Sequence, residues 1–249
     1  MSRRPRFVIA RAAIDAATVR LGGAELHHLR DVQRLTPGSE LSLIDETDQI
    51  YAGRIERFDP DYAVIAVTPI ARGAFASPEL ILAAGLIKGP RMDLLVEKAA
   101  ELGASELIPL LTTRSVMRDV GAQRLERWRR ITIAAAKQSL AAHRMRIRAS
   151  ITVAAMVRDL PPDTLDVVCV MDASPLGTII RDTHPRRILL ACGAEGGFDA
   201  DEMALMRDAG FREAALGPNR LRSETAALAA LSIAADAIHE LSHEIAGRS

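Results

Sequence analysis

RILLACGAEGGFDADE, residues 187–202, decides how the chain is read. Arg187 to Gly193 is a nearly unbroken apolar run, the pattern of a strand buried on both faces of a parallel sheet. Gly196-Gly197 marks a tight turn, because glycine without a Cβ accepts positive φ. Asp199 with Glu202 is a capping-box variant, and Phe198 with Met203 is placed as a hydrophobic staple. A buried strand, a glycine loop and a capped helix in direct succession predict an α/β fold.

The same pattern extends outward. ELILAAGL (79–86), Leu107–Leu111 and LDVVCVMD (165–172) are further buried strands, and a short strand is predicted near Glu213–Leu216. Helices are predicted over Pro90–Leu102, which Gly103 stops, and over about Gln123–Ala142, with Leu125, Trp128, Ile131 and Ala135 on one stripe. A C-terminal helix begins near Ser223, with Leu228, Leu231, Ala235 and Ile238 on one stripe. Strands alternating with helices imply a mainly parallel sheet. The N-terminal part differs. Phe7–Ile9, Leu41–Ile44, Tyr51–Ile55 and Ala63–Val67 are strand-like, Pro37-Gly38 and Asp59-Pro60-Asp61 are turn signals, and Ala24–Leu35 reads as a short helix. A small β-barrel fits this spacing. Thr68–Pro78 is the linker candidate, giving a barrel over 1–72 and an α/β domain over 73–249.

Composition narrows the class. With 49% hydrophobic but only 3% aromatic residues, the core is aliphatic, which favours helices packed on a sheet over an aromatic-rich sandwich. Cys169 and Cys192 lie inside apolar runs and read as buried thiols. Two cysteines neither build a zinc site nor staple 249 residues, so no metal is expected and a reducing cytosol is compatible. No apolar run approaches the roughly 18 residues of a membrane span. A soluble, cytoplasmic protein is expected. Net charge is zero, yet Arg124–Arg148 holds eight basic residues and one acid, Glu126. That stretch is either a phosphate-binding face or a solvated face balanced by acids elsewhere.

Ligands of open α/β sheets bind beyond the carboxyl ends of the strands. Three loops lie at such ends: Met171–Pro175, Gly193–Phe198 and Leu216–Ala226. The second matches neither the P-loop nor the dinucleotide-binding pattern. In the third, Ser223 and Glu224 suit a first helical turn, whereas the charge of Arg222 opposes the helix dipole there and points to a function.

GAEGGFDADE (193–202) followed by LGPNRLRSETAALAAL (216–231) resembles the paired cofactor motifs of the RsmE-type family, the 16S ribosomal RNA uridine-N3 methyltransferases of the SPOUT superfamily. KGPRMDLLVEKAAELGASELIPLLTTRSV (88–116), RWRRITIAAAKQS (127–139), Phe7 and HHLRDVQRLTPG (27–38) are similar to its other segments, the last two to a small PUA-like RNA-binding barrel. The resemblance implies a trefoil-knotted C-terminal domain, a homodimer, and S-adenosylmethionine as cofactor. It places the cofactor against Met171, Gly193, Glu195, Gly196, Gly197, Leu216, Gly217, Leu221, Arg222, Ser223, Thr225 and Ala226. Arg222, Glu195 and Glu224 become the catalytic candidates. Contact with 16S ribosomal RNA in the small ribosomal subunit is expected from Arg30, Arg34, Arg91, Arg114, Arg127, Arg130, Gln138, Arg144 and Arg146. His27 and His28 are read as structural or RNA-contacting. Two positions depart from the family pattern: Ala194 replaces a usual Pro, and Ala141 stands where an Arg is common. The alternatives are a non-catalytic RNA-binding or ribosome-assembly protein, a SPOUT methyltransferase acting on another RNA site, and an unrelated nucleotide-binding enzyme.

Overall fold

The computed structural model describes residues 5–45, 47, 49–72, 78–115, 117, 119–139 and 143–246. Its contacts divide the chain into two units, Met1–Ala74 with Ala136–Arg144, and Phe75–Ala135 with Met145–Ser249.

The first unit is a curled sheet. Its elements are β1 (Arg6–Val8), a 3-10 turn (Arg11–Ala13), β2 (Ile14–Asp15), β3 (Thr18–Gly22), α1 (Gly23–His27) with a π-helical turn (His28–Val32), β4 (Glu40–Ile44), β5 (Gln49–Phe58) and β6 (Tyr62–Arg72). The strand order is β1-β4-β5-β6-β3-β2, with only β1 and β4 parallel. Phe7, Leu29, Leu41, Leu43 and Ile65 are fully buried inside it. Asp45 fixes the turn after β4. It accepts from the backbone and hydroxyl of Thr47, the backbone of Gln49 and the Tyr51 hydroxyl, the last at 2.8 Å. Burial alone would raise its carboxyl, but these donors hold it below the usual range. The expected linker starts too early: Thr68–Arg72 is the end of β6 and still pairs with β5. Pro69 is tolerated there because it sits beside a register shift between Ile50 and Tyr51. Residues 73–77, where the expected boundary falls, lie outside the described residues.

The second unit alternates as the pattern requires. It contains β7 (Glu79–Gly85), α2 (Pro90–Glu101), β8 (Glu106–Leu111), α3 (Ala122–Ser139), β9 (Arg146–Ile147), β10 (Ile151–Thr152), α4 (Val153–Arg158), β11 (Thr164–Val170), β12 (Ser174–Pro175), α5 (Leu176–Thr183), β13 (Arg187–Cys192), α6 (Ala200–Asp208), β14 (Arg212–Ala215) and α7 (Ser223–Ala246); the last residues of α3 group with the first unit. All strand pairs are parallel, in the order β10-β8-β7-β13-β11-β14-β12, with β9 also on β8. One face carries Leu82, Leu190 and Val167 against Leu95, Trp128, Ile180 and Leu231. The other carries Ala83, Val168 and Leu189 against Met156, Met206 and Phe211. The expected stripe on α3 is borne out by Trp128, whose indole N–H donates to Asp93 at 2.9 Å while the ring is fully buried. α5 gave no sequence signal, since LGTIIRDT mixes glycine with β-branched residues of weak helix propensity. Its packing against α7 supplies what propensity does not.

The order of the strands makes a crevice. β11 leads through β12 into α5, which packs on one face, while its neighbour β13 leads into α6 on the opposite face. Adjacent strands whose connections leave in opposite directions open a gap beyond their carboxyl ends, the topological switch point of α/β sheets.

Asp166 of β11 is at the other end of the sheet, with one buried carboxylate oxygen that has no partner among the described residues. Burial pushes its carboxyl up to about 6. Because this exceeds the unfolded value, ionisation costs stability. The cost is absent below about pH 4, grows as the pH rises through about 6, and is complete above it. Asp166→Asn is therefore expected to stabilise the fold at pH 8 by about 1–2 kcal/mol, discounted for partial exposure, and to do nothing at pH 4. Denaturant unfolding at the two pH values checks this; equal effects at both would exclude a charge origin.

Candidate functional site

The crevice is occupied by a cleft of about 540 Å³. This lies in the roughly 300–1,000 Å³ range of small-molecule sites. The three expected loops meet there. Val170 and Met171 come from the end of β11, Gly193, Glu195 and Gly197 from the loop after β13, and Leu216, Gly217 and Leu221 from the loop after β14. Arg222, Ser223 and Ala226, at the start of α7, also line it.

Glycines set the shape of the middle loop. A Cβ on Gly193 would stand 2.8 Å from the Gly197 Cα, and Gly197 itself has φ 67°. The turn is closed by the Gly197 N–H donating to the Ala194 carbonyl at 2.9 Å. Beyond it, Asp199 caps α6 as the sequence predicts, with Glu202 returning the bond at 3.0 Å. The Glu202 N–H, with Thr113, holds the Asp199 carboxyl below its usual range. Glu202 also accepts from the Thr113 N–H at 2.8 Å, joining α6 to the segment after β8.

Two expected cofactor residues do not line the cleft. Gly196 faces Arg114: a Cβ there would lie 2.8 Å from the Arg114 Cβ, and the Arg114 guanidinium donates to the Gly196 carbonyl at 2.9 Å. Thr225 is exposed on α7, one residue out of phase with the cleft-facing Ser223 and Ala226. Arg91, Cys169, Val170, Ala194, Asn219 and Arg220 line the cleft without having been read as cofactor residues. Cys192 is buried as expected, but Cys169 is only half-buried, because it lines the crevice near the end of β11.

The charges are arranged around Arg91. Its guanidinium donates to Glu195 at 3.1 Å and stands 3.6 Å from Glu224. Glu224 lies behind the cleft wall, 8% exposed, with its second carboxylate oxygen buried and unpartnered among the described residues. Of the catalytic candidates, Glu195 and Arg222 therefore face the cleft and Glu224 does not. Arg222 is exposed, and among the described residues it makes no ion pair. Its carbonyl accepts the Ala226 N–H at 2.7 Å, so its backbone starts α7 while its side chain stays available. Among the described residues no group of three or more His, Cys, Asp or Glu is arranged to hold a metal. No described helix is long and apolar enough to cross a membrane.

Comparison with known proteins agrees with this geometry. Residues 76–235 match a family described as an RNA methyltransferase domain, and residues 21–68 match an RNA methyltransferase PUA domain. A ribosomal RNA small subunit methyltransferase E of Synechocystis sp. is 32% identical over 91% of this chain and 76% of its own length. The chain belongs to the ribosomal RNA small subunit methyltransferase E family. It is an RNA methyltransferase. Another family member, from Bacillus subtilis, is 27% identical over 88% of this chain and 90% of its own. The crystal structure of the Neisseria gonorrhoeae family member bound to S-adenosyl methionine superposes with a TM-score of 0.78, at 28% identity, over 92% of this chain and 96% of that one. A Legionella pneumophila methyltransferase in complex with the same cofactor gives 0.76 at 26% identity, covering 94% and 98%.

Within this family member the basic stretch 124–148 is largely neutralised. Arg146 pairs with Glu79 at 3.0 Å and Glu106 at 3.2 Å, and Arg148 with Glu106 and Asp159. Glu79 and Glu106 begin β7 and β8, so Arg146 stands at the end of the sheet opposite the cleft. Arg127 is tied to Asp93 at 2.9 Å, and Lys137 to Glu25. Distant acids brought in by the fold thus balance a charge excess that looked local. Arg130 and Gln138 are exposed on α3, and Arg144 is half-buried. In the first unit Arg30 and Arg34 are exposed, Arg30 sharing Asp31 with His27, whose ring nitrogen lies 2.7 Å from that carboxylate. Ala141 lies outside the described residues.

Proposed function

We propose that this protein transfers a methyl group from S-adenosylmethionine to N3 of a uridine in 16S ribosomal RNA, in the cytoplasm, as a homodimer with a trefoil-knotted second domain. The observation that carries the reading is the meeting of all three strand-end loops in one cleft, lined by main chain, apolar side chains and the Arg91–Glu195 pair, with Arg222 making no ion pair among the described residues. The residues fit the cofactor. Gly193 has no room for a side chain, and Gly217, at φ 143°, takes a conformation that other residues avoid, so main chain can approach a ligand closely. Val170, Met171, Leu216 and Leu221 offer apolar contact to an adenosyl group. When bound, the cofactor supplies an electrophilic methyl carbon on a sulfonium.

The remaining work is positioning and proton removal, because uridine N3 carries a proton near neutral pH. Glu195 is the carboxylate at the cleft, held by Arg91, and takes that proton directly or through water. Glu224 orients Arg91 from behind. Arg222 stabilises the negative charge that develops on the uracil carbonyls. Arg30 and Arg34 on the first unit, with Arg130 and Gln138 on α3, contact the RNA and position it through phosphates, and an unpaired uridine gives access to N3.

The first experiment titrates the purified protein with S-adenosylmethionine by calorimetry and then assays methyl transfer to small-subunit RNA. Saturable binding with methylation at uridine N3 is expected. Glu195→Gln should retain the cofactor and lose about 10²–10⁴-fold in rate, the usual worth of a general base. Folded protein that binds no cofactor would leave the RNA-binding scaffold as the better account. Sedimentation at twice the chain mass checks the dimer.

A further inference from the structure

The reaction has no use for a thiol, yet the chain's only two cysteines stand on neighbouring strands, one lining the crevice and the other buried. Leu165, Val167 and Cys169 of β11 share one sheet face with Ile188, Leu190 and Cys192 of β13. The ladder between these neighbours pairs Val168 with Ala191, so the next step along both strands is Cys169 beside Cys192. Neighbouring strands run about 4.8 Å apart. That separation falls inside the roughly 4.4–6.8 Å window of Cα positions that a disulfide spans. The neighbouring Cys169 thiol, together with burial, pushes the Cys192 thiol up. Cys192 is 2% exposed, whereas Cys169 is half-buried and lines the cleft. A small reagent entering the cleft therefore meets Cys169 first and finds a second thiol directly behind it.

We propose that Cys169 is a peroxide-modification site and that Cys192 is its resolving partner, forming a disulfide between β11 and β13 that closes the cofactor cleft. The Cys169 sulfur attacks a peroxide oxygen. An S–O bond forms, the O–O bond breaks, and the departing hydroxide takes the thiol proton as water. The Cys192 sulfur then attacks the Cys169 sulfenic sulfur. The S–S bond forms, the S–O bond breaks, and the Cys192 proton leaves with the hydroxide as a second water. Two thiols are oxidised, one peroxide is reduced, and a small dithiol reverses the step by exchange. A disulfide holds its Cβ atoms about 3.5–4.5 Å apart, less than the strand spacing, so closure draws the two strand ends together. The gap that narrows is the one between Val170-Met171 and Gly193–Gly197. The effect on the cofactor rests on the function proposed above; the disulfide does not.

The test treats reduced full-length protein with hydrogen peroxide. Intact mass and peptide mapping should show loss of two hydrogens and a single 169–192 cross-link. Cys192→Ser should stop at a sulfenic acid on Cys169 that dimedone traps, and Cys169→Ser should take no label while folded. S-adenosylhomocysteine should slow the oxidation. The oxidised protein should bind S-adenosylmethionine at least about tenfold more weakly and recover with dithiothreitol. Sulfenic acid on the wild type without a cross-link would overturn the pairing, and thiols that react only in denaturant would overturn the site. Unchanged cofactor affinity after complete cross-linking would overturn the closure. Reduced protein that binds no cofactor yet forms the cross-link would sink the methyltransferase reading and leave the modification site standing.

Discussion

Arg222→Ala should lower the single-turnover methylation rate by about 10²–10³-fold, the usual cost of one donor aimed at developing negative charge. Cofactor affinity should change by less than about threefold, or roughly 0.7 kcal/mol. The two effects separate because of how Arg222 is held. Its guanidinium makes no ion pair among the described residues, so truncation orphans no carboxylate. Its structural duty is carried by the backbone, whose carbonyl accepts from Ala226 whatever the side chain. Arg91 is the contrast: removing it would strip Glu195 and the buried Glu224 of their shared partner. Rapid-quench turnover and calorimetry on the same preparation read the two quantities. A lost affinity with an intact rate at saturation would make Arg222 a cofactor clamp and return the charge-stabilising role to another group.

Gly85→Ala should have the second large effect, at a residue far in sequence from the glycine loop. A Cβ there would lie 2.2 Å from the Ala194 nitrogen and 2.8 Å from the Gly193 carbonyl carbon. Both are main-chain atoms, so no rotamer change relieves the clash. The end of β7 and the loop after β13 must move apart. Overpacking of this kind costs about 3 kcal/mol. If the whole cost falls on the fold, Tm drops by about 6–12 °C for a domain of this size. If it falls on the loop, S-adenosylmethionine binds about a hundredfold more weakly. Thermal melts with and without cofactor divide the cost between the two. No change in either would mean that the β7 end and the loop are not in contact in solution.

These two sites differ in what a linear reading can see. Arg222 stood out because a cation at a helix N-terminus opposes the dipole, a conflict visible within four residues. The capping box at Asp199 and Glu202 was visible for the same reason, since its bonds join residues three apart. The apolar runs of β7, β11 and β13 were legible because a strand buried on both faces has to be apolar along its length. The three strand-end loops followed from those strands and from the resemblance, and most of the residues expected to hold the cofactor line the cleft.

What the linear pattern did not contain depends on which strands become neighbours. Gly85 read only as part of the apolar run 79–86 until β7 was placed beside β13. Gly196 was assigned to the ligand, and only the packing of Arg114 shows that its crowded side faces protein. For the arginines at 146 and 148 the linear pattern left open whether acids elsewhere balance them, because Glu79, Glu106 and Asp159 are distant or on other elements. Glu195 and Glu224 could not be told apart by sequence, since only Arg91, reaching from α2, sets one at the cleft and the other behind it. Local chemistry therefore determined the elements, the loops and the one misplaced charge. Strand order decided the partners, because hydrogen bonds and ion pairs across a sheet join residues whose separation along the chain carries no signal.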